Sequence, residues 1–533
     1  MDQLSIGQIK QQFSAGSLSS GGRILALALA VGLAADILFY RQSLGLSAPL
    51  FGALVVGGLL LALASEARAG RQMWRNVWLA VPTLFFATMI FLRDEPGLTF
   101  MNLVATLLLL GIMFFTLGSN PTQRLTVMAY PIAICVAGIL SSFSAWPLVG
   151  FVLSRLNSRQ GNVGLAGRVV LGLLIALPFL ALFGALFSSA DAVFAQGVRN
   201  VFNFDLLKNL PDLVAQTIWI GFVAWICGGA LLMALERARR PSGILNLEKP
   251  IAPFLRLGFV ESATVLASVN ALFAVFVAIQ FTYLFGGSAN VRVGAFTYAD
   301  YARRGFFELV AVAIVTMGLL LALDWIAKRD TGRQMTGLKG LSLLLVALVL
   351  VILASAFQRM SLYESAYGFT SLRLYTHGFM LWMGVVFALK AAAIVLERGQ
   401  IFAFGGFLSL SVALAGINLL NPDAFIAEQN IQRYLATGTL SGETGPVTSA
   451  RSRAALDTSY LTDMSTDAVP VIMAHFNELK GTDRDRVGGA MRHQLDALYR
   501  RLDGAGWPSY HLSRKQAIDA LLAQRDTLNQ FKP

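Results

Sequence analysis

Again and again this chain runs for about 20 residues with almost no charge, and a run of that kind can fold in very few ways. A backbone crossing hydrocarbon must satisfy its own N–H and C=O groups, which an α-helix does within itself and a strand does only in a closed barrel. Barrel strands would show short alternating segments. Here the apolar stretches are continuous, as at 341–358. Composition agrees: 56% of the residues are apolar and 14% charged, against a charged share of about a quarter in soluble domains. The expectation is an all-α fold, a polytopic transmembrane helical bundle of about 12–13 spans, with a small helical C-terminal soluble domain.

The expected spans are 23–40, 46–64, 76–92, 98–117, 168–187, 213–234, 259–284, 305–327, 341–358, 374–396 and 401–420. The stretch 125–154 is apolar but interrupted by Pro131, Pro147 and the run Ser141 to Ser144. It reads as one kinked helix or as two short ones. Loop charge arbitrates. Arg68, Arg71 and Arg75, then Arg237, Arg239, Arg240 and Lys249, then Lys328, Arg329, Arg333 and Lys339 mark three cytoplasmic loops by the positive-inside rule. An even number of crossings between Arg124 and Arg237 then favours a hairpin, or a re-entrant segment, at 125–154. The N-terminal segment 1–22 is expected in the cytoplasm, the transmembrane domain over 23–420, and the helical tail 421–533 outside. The first apolar run lacks a small-residue cleavage site and carries Asp36, so it reads as a permanent span rather than a signal peptide. The net charge of +12 sits mostly in loops beside spans and follows topology, so no nucleic-acid partner is implied.

Charges near the expected outer ends are the candidates for function. Asp300, Arg304 and Glu308 are spaced four apart, so on a helix they share a face with Arg303 beside them. This is either a self-neutralising helix start or part of a ligand site. The expected second outer loop, Arg359 to Arg373, carries the same mixture, with Glu364 and several tyrosines, and leads into a span containing His377. Guanidinium groups backed by phenols suit a carboxylate, a phosphate or a lipid headgroup. His377 is a helix-end histidine satisfied by a neighbour or a proton-handling group. Asp36 lies about one turn inside its span, interfacial or functional. Asp324 and Lys390 are expected to snorkel. Asn270, Gln280 and Asn418 are expected to bond between helices.

The tail has balanced charge and no spanning run. Asn421-Pro422-Asp423 reads as a helix start, Ser513 with Gln516 as a capping box, and 437–452 as a linker. Leu495, Leu498, Leu502, Ile518, Leu521 and Leu522 are its expected core. His475, His493 and His511 recur at equal intervals, a spacing with no metal-site counterpart. Cys135 and Cys227 lie inside apolar runs and imply neither disulfide nor metal ligation. No phosphate loop, dinucleotide fingerprint, nucleophile elbow or HExxH occurs, so no metal and no cofactor is expected.

The combination of Asp36-Ile-Leu-Phe-Tyr40, Tyr283-Leu-Phe-Gly-Gly287, Thr297-Tyr-Ala-Asp-Tyr-Ala-Arg-Arg-Gly-Phe-Phe-Glu308, Tyr367-Gly-Phe-Thr-Ser-Leu-Arg373, Asn421-Pro-Asp-Ala424 and Trp507-Pro-Ser-Tyr-His-Leu-Ser-Arg514 resembles a bacterial family of polytopic membrane proteins filed as domain of unknown function 4173. The resemblance implies a bacterial cytoplasmic-membrane protein with a helical tail and brings no activity with it. The leading expectation is a non-enzymatic protein that binds, and in one version transports, a small anionic or lipid-derived ligand at its outer face. Asp36, Asp300, Arg303, Arg304, Glu308, Arg359, Glu364, Arg373 and His377 would supply the site, with the lipid bilayer as surroundings. Two alternatives stay open. One is a scaffold or sensor for envelope protein partners, working through the tail. The other is an enzyme on a lipid-linked substrate with Glu308 or Asp36 as base, which pairing with arginine would make a poor one.

Overall fold

The computed structural model describes residues 18–64, 75–117, 122–150, 210–239, 257–285, 306–327, 332–438 and 456–531, with isolated positions between 172 and 196. Its regular elements there are helices. They are α1 (Leu18–Phe39), α2 (Ser47–Ala64), α3 (Ala80–Leu92), α4 (Pro96–Thr116), α5 (Ala129–Ser144), α6 (Leu210–Arg239), α7 (Phe259–Phe285), α8 (Phe306–Ile326), α9 (Gly332–Tyr367), α10 (Ser371–Val395) and α11 (Gly399–Leu420). The C-terminal helices are α12 (Pro422–Gly438), α13 (Thr458–Thr462), α14 (Val469–His475), α15 (Gly481–Leu502), α16 (Leu512–Ala523) and α17 (Arg525–Leu528). Ten helices among the described residues are long and apolar enough to cross a membrane, with a shorter apolar one at Val77–Leu92. The chain is a multi-pass membrane protein. The span expected at 168–187 falls where only isolated positions are described.

Among the described residues, the hairpin expected at 125–154 is corrected to a single helical span, Ala129–Gly150. Ala145 keeps right-handed helical angles, φ −73 and ψ −20, the Leu148 N–H bonds Ala145 O at 3.0 Å, and helix continues to Gly150. Pro147 removes one ladder bond and tightens the turn without reversing the chain. The polar run is accommodated because Ser141 and Ser142 donate to the carbonyls of Ala137 and Gly138 one turn back.

Two apolar cores fill the bundle. One gathers α1 to α6 around Leu59, Leu63, Phe86 and Met113. The other gathers α7 to α10 around Leu345, Val349, Met360 and Phe387. Helix α11 joins them, since Phe402 is buried in the second core and its neighbour Ala403 in the first. Small residues allow the closest crossings, as membrane helices require. A Cβ on Gly32 of α1 would lie 2.6 Å from the Ile220 carbonyl oxygen of α6.

Polar contacts sort the helix ends into two groups. At one end Arg41 pairs with Asp212 at 2.7 Å and Arg93 donates to Asn418 O at 2.8 Å. The Leu46 N–H also reaches Tyr510 O at 2.8 Å. At the other end Asn76 joins Thr116 to Thr122, and Arg237 donates to Phe115 O at 3.1 Å. Lys339 there meets Glu397. The C-terminal helices stand on the first end, with a core of their own built on Ile472, Phe476, Val487, Met491, Leu495, Leu498, Ile518 and Leu521. Leu502 and Leu522, expected in that core, are exposed instead.

Three local expectations are also corrected. Asn421 is the left-handed cap of α11, φ 53, and its buried Oδ1 has no hydrogen-bond partner, so it does not cap α12 by its side chain. Ser513 Oγ meets Thr466 Oγ1 at 2.8 Å rather than closing a capping box, and α16 starts after His511. Lys390 does not snorkel: it is 2% exposed, bonded across the helices to Asp324 and 5.3 Å from the Phe402 ring centre. An ammonium buried in a span needs such a partner more than it needs water at the end of its stem.

Candidate functional site

The expected outer loop 359–373 is mostly helix, and that difference builds the site. Nothing between Gly332 and Tyr367 breaks a helix. α9 therefore runs 36 residues, about 54 Å, and overhangs the hydrocarbon. It ends where Gly368 takes φ 81 and its N–H bonds Glu364 O at 2.8 Å, a left-handed closure that favours glycine. On a helix Phe357, Ser361 and Glu364 fall on one face, and all three meet His377 of α10. His377 Nδ1 lies 3.0 Å from Glu364 Oε1 and Nε2 lies 3.2 Å from Ser361 Oγ. The Phe357 ring packs edge-on at 4.4 Å. Glu364 is 5% and His377 8% exposed, so each is the other's main polar surrounding. Beside them Arg359 donates to Gln280 Oε1 of α7 at 2.7 Å, and Ser355 approaches the same oxygen at 3.4 Å.

Above this layer the α9–α10 connection is gripped by the C-terminal helices. Asn430 of α12 accepts from Phe369 N at 2.8 Å and donates to Phe369 O at 2.9 Å. Tyr460 accepts from Ser371 N at 2.8 Å. A pocket of about 110 Å³ lies there, lined among others by Gly368, Thr370, Asn430, Arg433, Asp457 and Tyr460, with room for a small anion or a few waters. Arg373 reaches Gly368 O and lies over the Tyr363 ring at 4.3 Å. Burial, and then the like charge of Arg373, pull the Arg433 guanidinium below its ordinary value. A cation on a cavity wall with a second like charge acting on it favours a bound anion.

A second polar network fixes the C-terminal helices to the α3–α4 connection. Arg514 donates through Nε at 3.0 Å and Nη2 at 2.8 Å to Asp94 Oδ1. Thr466 donates to Asp94 Oδ2 at 2.9 Å, and His511 Nε2 stands 3.8 Å from Asp94. Asp467 accepts from the backbone N–H groups of Asp94 and Glu95 at 2.9 and 3.2 Å. Glu95 caps α4 through Gly97 N at 3.0 Å and accepts from the Tyr375 hydroxyl at 3.0 Å. Desolvation pushes the Asp467 and Asp423 carboxyls up, against hydrogen bonds that pull them down.

Burial, partly opposed by Asp94, pulls the His511 imidazole below its ordinary 6.5. The unfolded chain then protonates before the folded one. The neutral imidazole's contribution is complete above pH 6.5 and is lost as pH falls from there toward the folded value. Between pH 7 and 5 the wild type should therefore lose melting temperature relative to His511→Gln. The raised carboxyls act in the opposite direction but are common to both proteins. A pH-independent gap would show that His511 is not the group responsible.

Of the residues singled out from the sequence, Arg359, Glu364, Arg373 and His377 come together at one end of α9 and α10. Glu308 is exposed in the first turn of α8. Asp300, Arg303 and Arg304, the rest of the expected ladder, lie outside the described residues. Asp36 lies on α1, which packs against α6, α2 and the Trp507–Ser509 turn. Its buried Oδ1 has no hydrogen-bond partner. The three tail histidines do not converge. His475 pairs with Glu478 and Glu428, His511 faces Asp94, and His493 is exposed. No metal-capable cluster occurs among the described residues. Asp94, Asn430, Arg433, Asp467 and Arg514 escaped sequence reasoning. Only the charged triplet Arg93-Asp94-Glu95 between two spans could have signalled them.

A helical bundle with a polar layer at one end is a membrane-protein class without an assigned chemistry, and comparison places the chain within it. Residues 80–475 match the family model described as Domain of unknown function (DUF4153), and the chain belongs to that family. The resemblance to family 4173 is thereby corrected to a different family of unknown function. No match was found among curated proteins or among solved structures.

Proposed function

We propose that this protein binds a small anionic ligand, a lipid headgroup or a free phosphate or carboxylate, at the end of the bundle that carries the C-terminal helices. The observation behind this reading is the Arg433 guanidinium on the pocket wall, with the like charge of Arg373 acting on it from the start of α10, above the layer that holds Arg359, Glu364 and His377. In this reading the ligand relieves the repulsion between the two guanidinium groups, and binding tightens the contact between α10 and α12. Phosphatidylglycerol, inorganic phosphate or acetate should raise the melting temperature of the full-length protein in neutral detergent. Ligand at 100 times its Kd contributes about 2.7 kcal/mol. Arg373→Ala and Arg433→Ala should each remove the gain from whichever probe acts. A gain that survives both changes would dismiss the pocket.

The end that binds ligand is, in this proposal, the outer face of a bacterial cytoplasmic membrane, with the N-terminus in the cytoplasm. Support comes from Arg237 and Lys339, which occupy the opposite end. Arg451→Cys in a background lacking Cys135 and Cys227 should react with an impermeant maleimide in intact cells. Reaction only after lysis would reverse the orientation.

A second reading, an envelope scaffold or sensor, is favoured by one feature, the two-way grip of Asn430 on Phe369. It ties the C-terminal helices to the helix pair that holds the buried dyad.

A further inference from the structure

Ser361, His377 and Glu364 stand in an order that hydrogen-bond satisfaction alone does not require. The carboxylate of Glu364, 3.0 Å from Nδ1, holds the N–H tautomer on that nitrogen and leaves the Nε2 lone pair toward Ser361 Oγ, 3.2 Å away. Burial is graded along the relay: Glu364 and His377 are buried, whereas Ser361 is half-buried and its neighbour Leu362 is exposed. The serine is thus the member facing outward. Its hydroxyl also lies 3.0 Å from the Phe357 carbonyl, and rotation about the C–O bond alone carries the proton from that carbonyl to His377.

Depth names the substrate class. Ser361 lies six residues before the end of α9 at Tyr367, about 9 Å inward along the axis. Tyr363 and Tyr367, with ring centres 4.9 Å apart and tilted by 52°, have the position of an interfacial aromatic belt. A hydroxyl just inside that belt sits at the boundary between headgroups and acyl chains, where the ester bonds of lipids lie. We propose that Ser361, His377 and Glu364 form a nucleophile, base and orienting carboxylate that cleave or transfer an ester-linked acyl chain at the membrane interface.

In the forward step Ser361 Oγ bonds to the ester carbonyl carbon while its proton passes to His377 Nε2. The tetrahedral oxyanion collapses, the bond to the alcohol oxygen breaks, and Nε2 returns the proton to the departing alkoxide. Water or a second alcohol then attacks the acyl-serine, gives its proton to Nε2, and Ser361 leaves with that proton restored. Arg373, one turn outward from His377 on α10, is the positive charge available to the developing oxyanion. Glu364 is a positioning residue in this scheme.

The test is covalent labelling of the full-length protein in nanodiscs with a fluorophosphonate probe, which needs no knowledge of the acyl donor. Wild type should label, Ser361→Ala should not, and His377→Asn should label at least a hundredfold more slowly. Glu364→Ala should label at least tenfold more slowly and Glu364→Asp should recover part of that rate, because an orienting carboxylate is restored; equal rates in the two variants would dismiss the positioning role. Wild type no more reactive than heat-denatured protein, or Ser361→Ala labelling equally, overturns the proposal. Because His377→Asn alters a buried site, Ser361→Cys provides a second reading. Its alkylation by iodoacetamide at pH 7 should exceed that of the Ser361→Cys, His377→Asn protein at least tenfold, and equal rates would refute the activation. Anion-dependent stabilisation through Arg433 is independent of this outcome, so the binding reading and the acyl-transfer reading fail separately.

Discussion

Asp94→Ala is expected to loosen the C-terminal helices from the membrane bundle by on the order of 3 kcal/mol. The Asp94 side chain is 12% exposed and that of Arg514 21%, so removal of the carboxylate leaves a guanidinium largely out of water with both its bonds gone. Thr466 loses an acceptor in the same step. Three kcal/mol corresponds to an opening equilibrium raised on the order of a hundredfold, readable as faster hydrogen exchange over 506–515 with exchange in α4 unchanged. The docking should weaken without vanishing, because Asp467, Asn430 and the Gln42 contacts to Gly506 and Ser509 remain. Lys515→Ala is the control. Its pair with Asp519 has both side chains about half exposed, and such pairs contribute little. Equal exchange in the Asp94 and Lys515 variants would refute this account of the docking.

His377→Leu should be the most damaging single change in the α9–α10 layer, followed by Glu364→Ala and then Glu364→Gln. Without the imidazole, Glu364 is left as a buried acid with no described partner and must either take up a proton or stay charged in low dielectric. Without the carboxylate, the Nδ1–H donor is unsatisfied and a small void remains, together about 3 kcal/mol. Glutamine restores an acceptor at nearly the same volume, so its cost should be about 1 kcal/mol. Unfolding in mixed micelles orders the three. A Glu364→Ala protein within about 0.5 kcal/mol of wild type, the range of neutral surface changes, would mean the pair carries no stability.

Most of the spans were legible in the sequence because each is a local property: about 20 apolar residues either cross the bilayer or leave a hydrophobic stripe uncovered. The termini of α9 were not legible in the same way. Hydropathy marks where hydrocarbon ends, whereas a helix continues until a residue such as Gly368 stops it, so 359–367 read as loop and is helix. That error hid the relation of Ser361 and Glu364 to His377, since only helical periodicity puts positions 357, 361 and 364 on one face. Arg359, Glu364, Arg373 and His377 were nevertheless visible as candidates, because charge beside a span is rare enough to be noticed.

What the sequence determined by itself is the class of object: a multi-pass helical membrane protein, polar layers at helix ends and a helical C-terminal unit with its own apolar core. Tertiary structure alone decided the pairings. Asp94 with Arg514, Asn102 with Asn418, Lys390 with Asp324 and Asn430 with Phe369 join residues 61 to 420 positions apart. No local pattern anticipates them. The physical reason is the difference between the two forces at work. Burial of apolar surface is non-directional and additive along a segment, so it can be summed from the sequence. A buried hydrogen bond or ion pair is directional and depends on which helix lies alongside.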